Sequence, residues 1–274
     1  MESIKQLTKS VFVHVIERLL TIPVSGGTRG WPFILSWAQR LSGVLLSLYL
    51  GFHVYTLLLL KSSEAYDSQM AVFSTFPFNL LAWLLAFPVI FHALNGGRVI
   101  LYESFGKRED HILIKAVFIL SAVYLINLGI LMNLAVRITA LLWFWVPILL
   151  ASLFICFLVS LRLVESGIGF GWKLQRITGS FLLLLIPAHM MFMHSHPDMA
   201  HSASVVIQRM QSGTMKVIDI LLASGILYHS GYGLVSILND YLSNRFLRVC
   251  TNTLIWLIVV FTAFFALNLI VCFP

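Results

Sequence analysis

Apolar residues run through this chain in long blocks, and charge is confined to the joints between them. Seven windows carry no Asp, Glu, Lys or Arg: 41–60, 68–97, 116–136, 138–161, 177–197, 220–239 and 249–274. Each can hold the ~20 apolar residues that carry a helix across a bilayer. The pattern predicts helices at about 38–60, 79–103, 112–134, 138–162, 174–196, 216–242 and 247–272. A helix satisfies its own backbone in lipid, so the expected fold class is an all-α integral membrane protein with about seven transmembrane helices. Ahead of the first window, "IKQLTKSVFVHVIERLL" reads as an amphipathic helix ended by Pro23 and Gly26-Gly27. No small-residue cleavage site follows a long apolar stretch there, so no removable signal peptide is expected.

The blocks repeat. Gln39-Arg40-Leu41-Ser42-Gly43 recurs as Gln175-Arg176-Ile177-Thr178-Gly179, and His53, inside the first apolar block, recurs as His189. "FHALNGG" at 91–97 recurs as "YHSGYGL" at 228–234, so His92 and Gly96 match His229 and Gly233. Glu103 and Asp240 each follow eleven positions after their histidine. Helices one and two therefore correspond to five and six, while three and four match nothing. Two inserted crossings return the chain to its original side, which makes the repeat parallel, with a pseudo-twofold axis along the membrane normal; inverted-repeat transporters need the opposite relation. The expected core is a four-helix bundle of two parallel repeated helix pairs. The organisation reads as an N-terminal segment over 1–35, a first repeat over 36–110, two inserted helices over 111–169, and over 170–274 a second repeat with a final helix.

Composition sharpens this. A chain 59% hydrophobic and 11% charged is no soluble domain, since those carry about a quarter charged residues. The net charge of +7 is a topology signal rather than a nucleic-acid surface. With the N-terminus cytoplasmic, only Lys61, Arg137, Arg209 and Lys216 of the 18 basic residues fall outside, as the positive-inside rule requires.

Ionisable groups inside a membrane are costly and usually functional. Four histidines at repeated positions point to metal or haem ligation. At ~1.5 Å per residue, His53 and His189 lie ~20 Å outward from Arg40 and Arg176. His92 and His229 each lie ~16 Å from their acids, Glu103 and Asp240. Two equivalent pairs at different depths suit haem, which needs an imidazole on each face and small residues where the ring passes. Gly43, Gly96, Gly179 and Gly233 could provide that clearance, or simple close helix packing. Arg40 and Arg176 end their helices at the inner interface, where an arginine fork could hold haem propionates or anchor the helix. Cys156, Cys250 and Cys272 form no Cys-x-x-Cys-His attachment, so any haem is non-covalent, of b type.

These residues resemble the cytochrome b membrane-anchor subunit of succinate dehydrogenase and fumarate reductase (respiratory complex II), in its single-chain, two-haem form. "GFHVY", "FHALNGGR", "PAHMM" and "YHSGYG" carry the four ligand positions. The likeness implies two haem b groups with His53, His92, His189 and His229 as axial ligands. On the pseudo-twofold axis, His53 would pair with His189 and His92 with His229. "SWAQR" resembles a quinone-site motif, giving Ser36 and Arg40, and "HSGYGLVSILNDY" gives Asp240 and Tyr241. Implied partners are an iron–sulfur subunit and a flavoprotein subunit on the cytoplasmic face, together with a membrane quinone, menaquinone favoured over ubiquinone. Leu227 stands where some two-haem members carry a glutamate for transmembrane proton transfer, so that path is not carried over. Two other readings stay open here. One is the cytochrome b subunit of a membrane hydrogenase or formate dehydrogenase. The other is a metal transporter using "HMMFMHSHPDMAH" at 189–201, whose four histidines and four methionines suit a soft metal; the plainer account is a haem ligand followed by an outer loop broken at Pro197.

Overall fold

The computed structural model describes residues 30–106, 110–134, 141–195 and 201–272. The expected amphipathic segment and the break at Pro197 lie outside the described residues. The chain divides into two compact units, 1–35 and 36–274. In the first, the described part is a helix start, where the Phe33 N–H donates to the Gly30 carbonyl at 3.0 Å. The second unit holds the rest of the fold.

Nine helices run through the described residues: α1 (Trp31–Leu58), α2 (Ser63–Phe73), α3 (Phe76–Phe105), α4 (Asp110–Leu134), α5 (Leu141–Val164), α6 (Phe170–Ser195), α7 (Ala203–Gln211), α8 (Gly213–Tyr241) and α9 (Arg245–Cys272). All but α2 and α7 are long and apolar enough to cross a membrane, seven spans in all. The protein is an all-α integral membrane protein. Several helices begin earlier than the charge-free windows suggest: α1 starts at Trp31 rather than near 38, and α6 at Phe170 rather than near 174. A helix need not stop where the hydrocarbon does, and Lys173 and Arg176 stay helical at the interface.

Helices α2 and α7 have no counterpart in the expected seven, because neither is a spanning run. Ser62 caps α2, its Oγ accepting from the Ala65 N–H at 3.3 Å, with Glu64 in the first turn. In α7 the residues Ala203, Val206 and Met210 form a buried stripe. It packs on Tyr66 and Met70 of α2 and on Leu60, Leu269 and Ile270. The Asp67 carboxylate of α2 accepts from the Ala203 N–H at 2.7 Å, so the two short helices are bonded into one cap. Burial pushes the Tyr66 phenol up to about 12.

Helix α6 is the hub, packed against α3, α4, α5 and α8, while α9 lies on α8. The unmatched helices α4 and α5 brace α3 and α6. Trp83 on α3 donates to the Leu125 carbonyl of α4 at 3.0 Å, and Tyr124 on α4 donates to the Pro187 carbonyl of α6 at 2.7 Å. Helix α1 exposes Leu41, Leu45, Leu48, Phe52 and Tyr55 along one stripe, a face suited to lipid. Its Gln39 and Arg40 side chains reach α3 and α8, and those contacts build the site.

Candidate functional site

The repeated Gln-x-x-x-Gly spacing makes a notch for an imidazole. Residues four apart share a helix face, so the glycine leaves bare backbone beside the glutamine carbonyl. On α1, the Gln39 carbonyl lies 3.2 Å from His92 Nδ1. A Cβ added to Gly43 would stand only 3.1 Å from His92 Cε1. On α6, the Gln175 carbonyl lies 3.3 Å from His229 Nδ1, and a Cβ on Gly179 would stand 3.0 Å from His229 Cε1. A carbonyl only accepts, so Nδ1 carries the proton in both rings and Nε2 keeps its lone pair. Metal-bound histidines are typically oriented in this way, by a carbonyl that accepts from the other ring nitrogen. The two copies then diverge. Ser42 Oγ donates to the Gln39 carbonyl at 3.0 Å and lies 3.0 Å from His92 Nδ1, whereas Thr178 donates to the Leu174 and Gln175 carbonyls of its own helix.

The four histidines meet in pairs across the repeat. The His92 and His229 rings have centroids 6.2 Å apart, with planes at 89°. The His53 and His189 rings are 6.3 Å apart at 82°. An imidazole nitrogen sits ~2.0 Å from a first-row metal and its ring centre ~1.1 Å further, so two rings on opposite faces of one iron stand ~6.2 Å apart. Both pairs fit that spacing. Among the described residues, no three His, Cys, Asp or Glu side chains converge as they would around a bare metal ion; residues 196–200 of the His- and Met-rich segment lie outside them. The donor set therefore suits two bis-imidazole haems. The pair beside the Gln39 and Gln175 notches is called inner below, and His53 with His189 outer.

At the inner end the arginines also pair across the repeat. Arg40 Nη2 donates to Asp240 Oδ2 at 2.9 Å and its Nη1 to the Tyr241 hydroxyl at 2.6 Å. Arg176 grips Glu103 with two bonds, Nε to Oε2 at 2.6 Å and Nη2 to Oε1 at 3.0 Å. Each arginine thus takes the acid of the other half, as a twofold relation dictates. Arg40 and Asp240 keep 35% and 52% of their side-chain surface exposed, and exposed pairs contribute only about 0–1 kcal/mol. Their contribution is position rather than stability. Trp37 and Tyr241 flank the Arg40 guanidinium at 5.9 and 5.8 Å from their ring centres. Ser36 is exposed one turn before Arg40 on α1.

The remaining glycines lie against the glutamine side chains. A Cβ on Gly96 would meet Gln39 Nε2 at 3.2 Å, and one on Gly233 would meet Gln175 Nε2 at 3.5 Å. Sequence reasoning assigned no role to the Gln39 amide, which donates to the His92 carbonyl at 3.1 Å and accepts from Asn95 at 2.8 Å. Asn95 in turn accepts from the buried Arg98 at 2.9 Å. Gln39 and Gln175 were visible in the repeat; Asn95 and Arg98 were not, because Tyr232 and Val235 hold their places in the second copy.

Residues 28–128 match the succinate dehydrogenase/fumarate reductase transmembrane subunit family. Over 102 residues the chain is 34% identical to the succinate dehydrogenase 2 membrane subunit SdhC of Mycobacterium tuberculosis (strain ATCC 25618 / H37Rv), covering 36% of this chain and 73% of that protein. No solved structure matches the chain.

Proposed function

Because the chain belongs to the succinate dehydrogenase/fumarate reductase transmembrane subunits, we propose that it is the two-haem cytochrome b anchor of a succinate:quinone oxidoreductase. In this reading it passes electrons between an iron–sulfur subunit and a membrane quinone. The observation that carries the reading is the two cross-repeat imidazole pairs, each at the ring spacing that one iron requires. Haem b, when bound, supplies reversible one-electron transfer. His53 with His189, and His92 with His229, would hold it, and Gly43 and Gly179 leave room for the inner imidazoles.

Quinone binds at the inner end, against Arg40, Asp240 and Tyr241, with Ser36 one turn away. Two-electron reduction places negative charge on the quinone oxygens, and preorganised donors stabilise that charge most. Tyr241 offers a phenolic O–H, Ser36 a hydroxyl and Arg40 a fixed cation. Asp240 holds the Arg40 fork in place and can pass protons from the aqueous side. The N-terminus and this end face the cytoplasm, where the iron–sulfur and flavoprotein subunits dock, and the protein lies in the cytoplasmic membrane. The four segments 1–35, 36–110, 111–169 and 170–274 then serve as an N-terminal segment, a first ligand pair of helices, a brace, and a second ligand pair with its flanking helix. Replacing His53 or His189 by Ala should remove the same haem, recognised by its redox potential, and His92 or His229 the other. Loss of one common haem in His53→Ala and His92→Ala would overturn the pairing.

A further inference from the structure

Between His92 and Gln39 the bonds run both ways. The imidazole gives its Nδ1 proton to the Gln39 main-chain carbonyl at 3.2 Å, and Gln39 Nε2 donates to the His92 main-chain carbonyl at 3.1 Å. Gly96 leaves the room for this, since a Cβ there would stand 3.2 Å from Gln39 Nε2. The far end of the carboxamide is held as well. Asn95 Nδ2 donates to Gln39 Oε1 at 2.8 Å, and Asn95 Oδ1 accepts from Arg98 Nε at 2.9 Å. Asn95 is 1% exposed and Arg98 6%, so these bonds lie out of reach of competing water. The second half keeps one part of this arrangement. His229 Nδ1 lies 3.3 Å from the Gln175 carbonyl, but Tyr232 and Val235 stand where Asn95 and Arg98 would. Gln175 is 7% exposed, and among the described residues no donor reaches its Oε1.

Two opposed bonds between the same pair of residues close a ring that fixes both their separation and the rotation of the imidazole. A single bond leaves that rotation open. The ring closes only while the Gln39 carboxamide keeps its orientation, and in a low-dielectric interior successive hydrogen bonds strengthen one another. Resting on the two-haem reading above, we infer that Asn95 is a positioning residue for the inner haem. Acting through Gln39, it clasps α1 to α3 and sets the plane of the His92 imidazole. His229, whose glutamine has no such support, is then the more compliant ligand of the pair.

The test is EPR and redox titration of both haems in the purified full complex. The low-spin signal of a bis-imidazole haem follows the angle between its ring planes, 89° for the inner pair and 82° for the outer. Asn95→Leu keeps the branched shape and deletes both amide bonds. Asn95→Ser stays neutral and polar but is too short to reach Gln39. In both variants the inner signal should move away from that of perpendicular planes, with the outer signal unchanged. A loosened Nδ1 bond also makes the imidazole a weaker electron donor. One hydrogen bond of ordinary strength corresponds to about fivefold in a ratio. The inner haem should therefore favour the reduced form by about fivefold, ~40 mV for one electron. Gln39→Leu should reproduce both changes, and Asn95→Leu should add nothing to it, because residues that act through one contact are not additive. An unchanged inner signal in both Asn95 variants, or full additivity of Asn95→Leu with Gln39→Leu, would overturn the inference. Fewer than two haems in the wild-type complex would instead remove the two-haem reading on which it rests.

Discussion

Adding one methyl group at Gly179 should separate ligation of the inner haem from folding of the protein. An alanine Cβ there would stand 3.0 Å from His229 Cε1 and 3.4 Å from its Nδ1. Carbon atoms rest ~3.5–4.0 Å apart, so the imidazole must retreat by about half an ångström. A metal–ligand bond tolerates only ~0.2 Å, and the retreat also pulls Nδ1 from the Gln175 carbonyl, already at 3.3 Å. Elsewhere the substitution costs little. Alanine is favoured over glycine in a helix by about 1 kcal/mol, which offsets much of the ~1–3 kcal/mol typical of overpacking. Gly179→Ala should therefore give about one haem per chain by pyridine haemochrome, with helical content and the outer redox component unchanged. Gly51→Ala is the control: a Cβ there meets nothing within 4 Å, and both haems should survive. Two haems with an unchanged inner potential in Gly179→Ala would refute the notch as the device that seats His229.

Ser42→Ala removes one of the two acceptors around His92 Nδ1, so the imidazole becomes a weaker electron donor and the inner haem potential should rise with no loss of haem. Redox titration reads the direction, and a fall would contradict the assigned proton on Nδ1. Tyr241→Phe keeps the ring beside Trp37 but deletes the hydroxyl that accepts from Arg40 at 2.6 Å. Quinone turnover should drop by an order of magnitude or more, while both haems and succinate oxidation by a dye acceptor persist. Unchanged turnover would leave Tyr241 as an interfacial anchor.

The spanning helices were legible because lipid tolerates few charges along ~20 residues, and the seven windows follow that rule directly. Their ends were less so. Interfacial residues such as Trp31, Lys173 and Arg176 remain helical beyond the hydrocarbon, where composition no longer constrains them. The α2–α7 cap escaped notice because its stability comes from tertiary packing of Tyr66, Met70, Val206 and Met210, not from a long apolar run. The histidines stood out through the repeat, which by itself fixes equivalent depth. Partnerships across the repeat were harder. Arg176 read as a propionate partner or a helix anchor, and in the structure it pairs with Glu103, 73 positions away. The glycines read as clearance for a porphyrin or as close helix packing; Gly43 and Gly179 lie against imidazoles, and Gly96 and Gly233 against glutamine amides. A small residue announces close approach, but not what approaches.

Two opposed imidazole pairs, each holding one haem b, are the central proposal for this chain. Haem stoichiometry of the purified, detergent-solubilised complex, by pyridine haemochrome against the amount of this chain, tests it most directly. The predicted value is about two b-type haems per chain; a value of one or zero would contradict it.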